Sequence, residues 1–158
     1  MPARSIRIWL WCALLIVLFD QASKWIALNH LQYGEPRYFL PFFNWVLIYN
    51  PGASFGLFAD AGGWQRWFFT ALALGVSVWI TLELHKASEE FYYSLALTLV
   101  LGGALGNAID RLRYGVVVDF IQLHVAGYAW PVFNVADSAI TLGAILLISD
   151  QLFRKKRA

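Results

Sequence analysis

Phe91-Tyr92-Tyr93-Ser94-Leu95-Ala96-Leu97-Thr98-Leu99-Val100-Leu101-Gly102-Gly103-Ala104-Leu105-Gly106-Asn107-Ala108-Ile109 runs for nineteen residues without a charge. Coiled as a helix, it would extend about 28 Å at about 1.5 Å per residue. That is close to the hydrocarbon thickness of a bilayer, about 30 Å. The stretch therefore reads as a membrane span, and the polar residues at its far end, Asn107, Asp110 and Arg111, lie at or just beyond membrane depth.

Working outward, three more segments fit the same description. Trp67 to Leu82 is uncharged and can extend to His85, with Lys86 to Glu90 as a short polar loop after it. Pro131 is well placed near a helix start, and a fourth span runs from about Val132 to Leu152. At the other end, Ile8 to Phe19 follows Arg4 and Arg7, which is also the look of a signal peptide. The segment continues through Asp20 and Lys24 to Leu28, however, and Ile8 to Leu28 is long enough to cross. The expectation is a single membrane domain over residues 1–158. Its spans are placed at about 8–28, 67–85, 91–110 and 132–152.

Composition agrees. Hydrophobic residues make up 59% and charged residues 14%, against about 25% charged in soluble domains. The mean hydropathy is +0.57. The net charge of +2 is small and the basic residues gather at the ends, which gives nucleic-acid binding no support. Cys12 is the only cysteine, so no intrachain disulfide can form, and it reads as a packed thiol.

The connection from Asn29 to Gln65 is different in kind. It holds Pro36, Pro41 and Pro51, and its Tyr38-Phe39-Leu40 and Asn44-Trp45-Val46-Leu47-Ile48-Tyr49 runs have strand character. Its many aromatic rings suit the membrane surface. The fold class expected is thus a membrane all-α protein with a small β portion: four transmembrane helices and a surface-lying β segment, about 29–65, between helices 1 and 2. Residues 111–130 read as a connection. Basic residues set the orientation. With both termini inside, the inner side holds Arg4, Arg7, Lys86, Arg154, Lys155, Lys156 and Arg157, against Arg37, Arg66, Arg111 and Arg113 outside. N-in/C-in is favoured.

That topology brings distant polar groups to one depth. Asp20 and Lys24 fall in the outer half of helix 1, Asn107 and Asp110 at the outer end of helix 3, and Asn134 and Asp137 at the outer start of helix 4. Asp119 falls in the loop between helices 3 and 4. Carboxylates at membrane depth are costly and mark function by default. Asp20 and Lys24, at i,i+4, can pair. Gly102 and Gly106 form a G-x-x-x-G that permits close helix approach. Asn107, Asp110 and Arg111 make one polar face that reads as a structural brace, with Asp110 able to pair with Arg111 or another Arg. Asp119 and Asp137 admit two readings. Either they are a carboxyl pair sharing one proton, fit for acid–base hydrolysis, or one caps a turn and the other braces a helix. Asn50 is either a substrate-binding amide or a turn residue before Pro51.

Other chemistries are weaker. Gly52-Ala53-Ser54-Phe55-Gly56 matches the serine elbow G-x-S-x-G, but its flanks are an aromatic loop and not a strand and helix. His30, His85 and His124 show no metal-ligand spacing, so no metal or cofactor is called for. A proton- or ion-coupled transporter using Asp20, Asp110, Asp119 and Asp137 as a relay is the alternative. It would prefer carboxylates staggered across the membrane, and these are bunched. A structural helper subunit would tolerate Asp-to-Asn replacement.

Five motifs in register, Asp20-x-x-x-Lys24, Asn50-Pro51-Gly52-Ala53-Ser54-Phe55-Gly56, Gly102-Gly103-x-x-Gly106-Asn107-x-x-Asp110-Arg111, Val117-Val118-Asp119-Phe120 and Phe133-Asn134-x-Ala136-Asp137, resemble bacterial lipoprotein signal peptidase (signal peptidase II). The resemblance spans nearly the whole chain. It implies an intramembrane aspartyl endopeptidase of the bacterial inner membrane, with its site near the periplasmic face. Its substrate would be a diacylglyceryl-modified prolipoprotein, cut just before the lipidated cysteine. It implies Asp119 and Asp137 as the catalytic pair, supported by Asp20, Lys24, Asn50, Asn107, Asp110, Arg111 and Asn134, and inhibition by globomycin. A monomer embedded in membrane lipid suffices.

Overall fold

The chain's apolar segments become four long helices, α1 (Ile6–His30), α2 (Trp64–Ala87), α3 (Phe91–Tyr114) and α4 (Val135–Arg154). The computed structural model describes residues 6–52, 62–87 and 90–154. All four helices are long and apolar enough to cross a membrane. Large side chains such as Trp11, Leu15, Trp79 and Ile145 point outward, which costs nothing when lipid, as apolar as they are, is the solvent.

α3 sits in the middle. It is buried along most of its length, from Ser94 to Arg111, while α1 and α2 each bury one face. Its glycines make this possible. A Cβ on Gly102 would lie 2.7 Å from the Ile16 Cβ of α1, and one on Gly106 would lie 2.6 Å from Asp20 Oδ2. A Cβ on Gly103 would collide with the Ala136 carbonyl oxygen of α4. The G-x-x-x-G thus clamps α3 to α1, and Gly103 clamps it to α4. We expect Gly103→Ala to destabilise the protein by about 1–3 kcal/mol through overpacking against rigid backbone. Gly75→Ala, with nothing within 4 Å of the added Cβ, should be neutral or stabilising. Thermal unfolding in detergent distinguishes the two.

At one end of the bundle lies an antiparallel sheet of order β1-β2-β3-β4, built from β1 (Arg37–Leu40), β2 (Phe43–Asn50), β3 (Val117–Val125) and β4 (Tyr128–Ala129). β1 and β2 fall on the aromatic runs expected to form strands. The other half of the sheet is a correction, because the segment read as a connection between helices 3 and 4 supplies β3 and β4. α3 ends on Gly115 (φ 81°), whose N–H returns to the Arg111 carbonyl at 3.1 Å. The chain then enters β3 at once. β3 and β4 join through Ala126 (φ 50°) and Gly127 (φ 85°), the paired positive φ values of a type I′ hairpin turn. Val117, Val118, Asp119 and Phe120 are all buried, so this part of β3 is covered on both faces and shows no alternation. Trp45 of β2 stacks on Phe120 of β3 at 5.8 Å.

A candidate active site at one end of the bundle

β3 carries Asp119 between the helices. It is 1% exposed, and its register opposite Ile48 of β2 puts it beside Asn50 at the strand's end. Asn50 Nδ2 donates to Asp119 Oδ2 at 3.1 Å, while Asn50 Oδ1 accepts the Gly52 N–H at 3.1 Å. Asn50 is therefore both turn residue and carboxyl partner. On the other side, Asn134 Nδ2 donates to Asp119 Oδ1 at 2.7 Å.

Asp137 stands in the first turn of α4. Its N–H donates to Asn134 Oδ1 at 2.8 Å, and the Asn134 N–H donates to Asp137 Oδ2 at 3.3 Å. This reciprocal bonding is a helix N-cap, and it has a second result. One residue, Asn134, touches both carboxyl groups, Asp119 through its side-chain Nδ2 and Asp137 through its backbone N–H. Asn107 Nδ2 from α3 donates to Asp137 Oδ1 at 2.8 Å.

Beneath the pair lies an ionic cluster. Lys24 Nζ meets Asp20 Oδ2 and Asp110 Oδ2, each at 2.8 Å, and Asn107 Oδ1 at 3.0 Å. Asp20 also accepts the Ala136 N–H at 2.9 Å, and Asp110 accepts the Val118 N–H at 3.0 Å. α1, α3, α4 and β3 thus meet on two carboxylates. The Asp20–Lys24 pair is as spaced. Asp110 pairs with Lys24 and not with an arginine, since its face of α3 looks at α1. Lys24 joins α1 to α3. Arg111 goes elsewhere. Its Nη2 donates to the Gly52 carbonyl at 3.0 Å, and its guanidinium lies over Phe69 at 5.2 Å.

Gln21 was not singled out in the sequence, yet it donates to Asp110 Oδ1 at 2.8 Å and to the Gly106 carbonyl at 3.2 Å. Its polarity inside an apolar span, next to Asp20, was the available signal. Ser54 of the G-x-S-x-G lies outside the described residues, as do the rest of 53–61 and Lys155 to Arg157.

Burial raises the Asp119 carboxyl most, and the nearby Asp137 charge raises it further. The N–H bonds from Asn50 and Asn134 oppose them, and the result is about 7. A groove of about 850 Å³ opens beside Asp137, between the β3–β4 hairpin and α4. Leu123, Tyr128, Trp130, Phe133 and Leu142 make it largely apolar, with Asn50 and Ser138 as polar points.

A multi-pass membrane protein with an enclosed carboxyl cluster beside an apolar groove is the class this fold defines. Two solved bacterial membrane enzymes are similar in fold. One, determined by the in meso method at 2.3 Å, is similar with a TM-score of 0.85 and 32% identity over 95% of this chain and 90% of that one. The other, at 1.9 Å, gives 0.80 and 33% over 92% of each chain. Residues 12–153 match the family Signal peptidase (SPase) II. The lipoprotein signal peptidase of Polynucleobacter necessarius is 51% identical, covering 96% of this chain and 93% of that protein. That of Burkholderia thailandensis is 53% identical, covering 95% and 90%. The chain belongs to the signal peptidase II family and is a peptidase.

Proposed function

We propose that this protein is an aspartyl endopeptidase that removes the signal peptide from diacylglyceryl-modified prolipoproteins, cutting just before the lipidated cysteine. The observation that carries the reading is the hydrogen bonding of Asn134 to both Asp119 and Asp137, with Asp137 lining an apolar groove. The lipoprotein signal peptidases named above supply the substrate class.

The chemistry needs one proton on the carboxyl pair. The ionised carboxylate takes a proton from water as its oxygen attacks the scissile carbonyl carbon. The protonated carboxyl donates to the developing oxyanion. Collapse of the tetrahedral species breaks the C–N bond, and a proton passes from the pair to the leaving nitrogen. The peptide carboxylate and the new amino terminus then depart. Asp20, Lys24, Asn50, Asn107, Asp110, Arg111 and Asn134 hold the pair.

The chain works as one domain in the bacterial inner membrane, N-in/C-in and monomeric. Its site lies near the periplasmic face, and the exposed rings of Tyr38, Phe39 and Tyr128 suit the headgroup region. Globomycin-type peptides would occupy the groove.

Paired precursor peptides, with and without diacylglycerol on the cysteine, test the reading. Product masses should show cleavage of the lipidated peptide alone, immediately before the cysteine. Equal cutting of both peptides would sink the substrate assignment.

The pH dependence follows from Asp119. A carboxyl raised to about 7 keeps its proton below that pH and loses it above. The one-proton state is therefore lost as pH rises through about 7, and kcat/KM should fall about tenfold per pH unit beyond it. A rate profile from pH 5 to 9 that stays flat through 8 would contradict this.

A further inference from the structure

An asparagine amide beside a carboxyl group has two unlike ends. Its NH₂ end stabilises the ionised carboxylate, whereas its oxygen repels it. What decides which end of Asn107 faces Asp137 is therefore part of how the site works. Asn107 Oδ1 faces Lys24 Nζ at 3.0 Å and Asn134 Nδ2 at 3.2 Å. An ammonium group only donates, so the oxygen must turn to Lys24, which leaves Nδ2 on Asp137 Oδ1 at 2.8 Å. Lys24 itself has no freedom. Its three N–H groups are matched by Asp20, Asp110 and Asn107, and it is 2% exposed.

We propose that Lys24 is a positioning residue for Asp137 that acts through Asn107. The ammonium, the closer of two donors on the amide oxygen, holds the amide's orientation, and the amide presents an N–H to the carboxylate. Lys24 exchanges no proton with substrate, because all its donors are committed below the pair. Asn134 is oriented on the same principle, its oxygen held by the Asp137 backbone N–H at 2.8 Å so that Nδ2 faces Asp119. Only at Asn107 is the cue a side chain that substitution can remove.

The inference rests on the aspartyl-pair reading, and the experiment separates the two. Removing Lys24 alone strands Asp20 and Asp110, so the main variant is the charge-balanced Asp20→Asn/Lys24→Met, with folding followed by thermal unfolding. Asp110 keeps its bonds from Gln21 and Val118 there. Misorientation of a reacting group costs about a hundredfold. We expect kcat on the lipidated peptide to fall about a hundredfold while KM stays within about threefold, since the groove is untouched. In an Asn107→Ala background the same pair of changes should cost less than about threefold more. A merely structural lysine would give losses that multiply in full, which overturns the proposal, as does wild-type kcat in a folded charge-balanced variant.

If that variant does not fold, Lys24→Gln decides. Its amide can still bond Asp20 and Asp110 but removes the ammonium cue, leaving the Asn107 oxygen only the longer bond from Asn134 Nδ2 at 3.2 Å. It should lose kcat in the same way, and wild-type kcat overturns the proposal. Asp137→Asn is run alongside. Activity in that variant would instead remove the underlying aspartyl reading.

Discussion

Asp119→Asn and Asp137→Asn should each lower kcat on a lipidated precursor by about a thousandfold or more, while the protein still folds. The two groups must together hold one transferable proton and one free basic lone pair. An amide supplies neither at useful strength, and losing positioned acid–base catalysis costs about 10²–10⁴-fold. The shape of each side chain is kept. The double variant should be no worse than either single one, because members of a catalytic unit are not additive. Initial rates on purified wild type and the three variants, with melting temperatures measured in parallel, check this. A folded single variant within tenfold of wild type would contradict the assignment of both residues.

Asp110→Ala has the largest expected effect on stability. Asp110 is fully buried and accepts from Lys24, Gln21 and the Val118 N–H. Its removal takes one of two carboxylate partners from Lys24, leaving Asp20 alone to face it, and orphans a buried backbone donor at the start of β3. Breaking a buried pair by deleting one partner costs about 3–5 kcal/mol, and the unsatisfied N–H adds to it. The variant should melt far below Asp137→Asn, whose carboxyl borders the groove. Denaturation in detergent compares them, and equal stability would show that the cluster under the site does not brace it. Activity lost in Asp110→Ala thus has a structural cause.

The spans were legible because an uncharged run of nineteen residues, Phe91 to Ile109, has few other uses in a chain with so little charge. β1 and β2 were legible from aromatic and β-branched residues between prolines. β3 was not. Its inner half is buried on both faces, so Val116 to Ile121 reads as an apolar run without period 2, and the Asp inside it looks like a loop residue. The site was half legible. The i,i+4 rule places Lys24 on Asp20, but pairing between α1 and α3 depends on which faces meet, and spacing says nothing of that. Hence Asp110 was matched to arginines and Gln21 passed over. Asn50 and Asn134 could be named from the motif resemblance, yet their contacts with Asp119 follow from the β2–β3 register and the α4 cap.

The central claim is that Asp119 and Asp137 share one proton near neutral pH. Infrared difference spectroscopy of carboxyl protonation, from pH 5 to 9 on the ligand-free protein, tests it most directly. In wild type one carboxylic acid should persist to about pH 7 and ionise above it. In Asp137→Asn the Asp119 titration should move to lower pH, because the neighbouring charge that raises it is gone. If both groups are ionised throughout, or if the titration near 7 is unmoved in Asp137→Asn, the two carboxyls do not act as a pair and the mechanism fails.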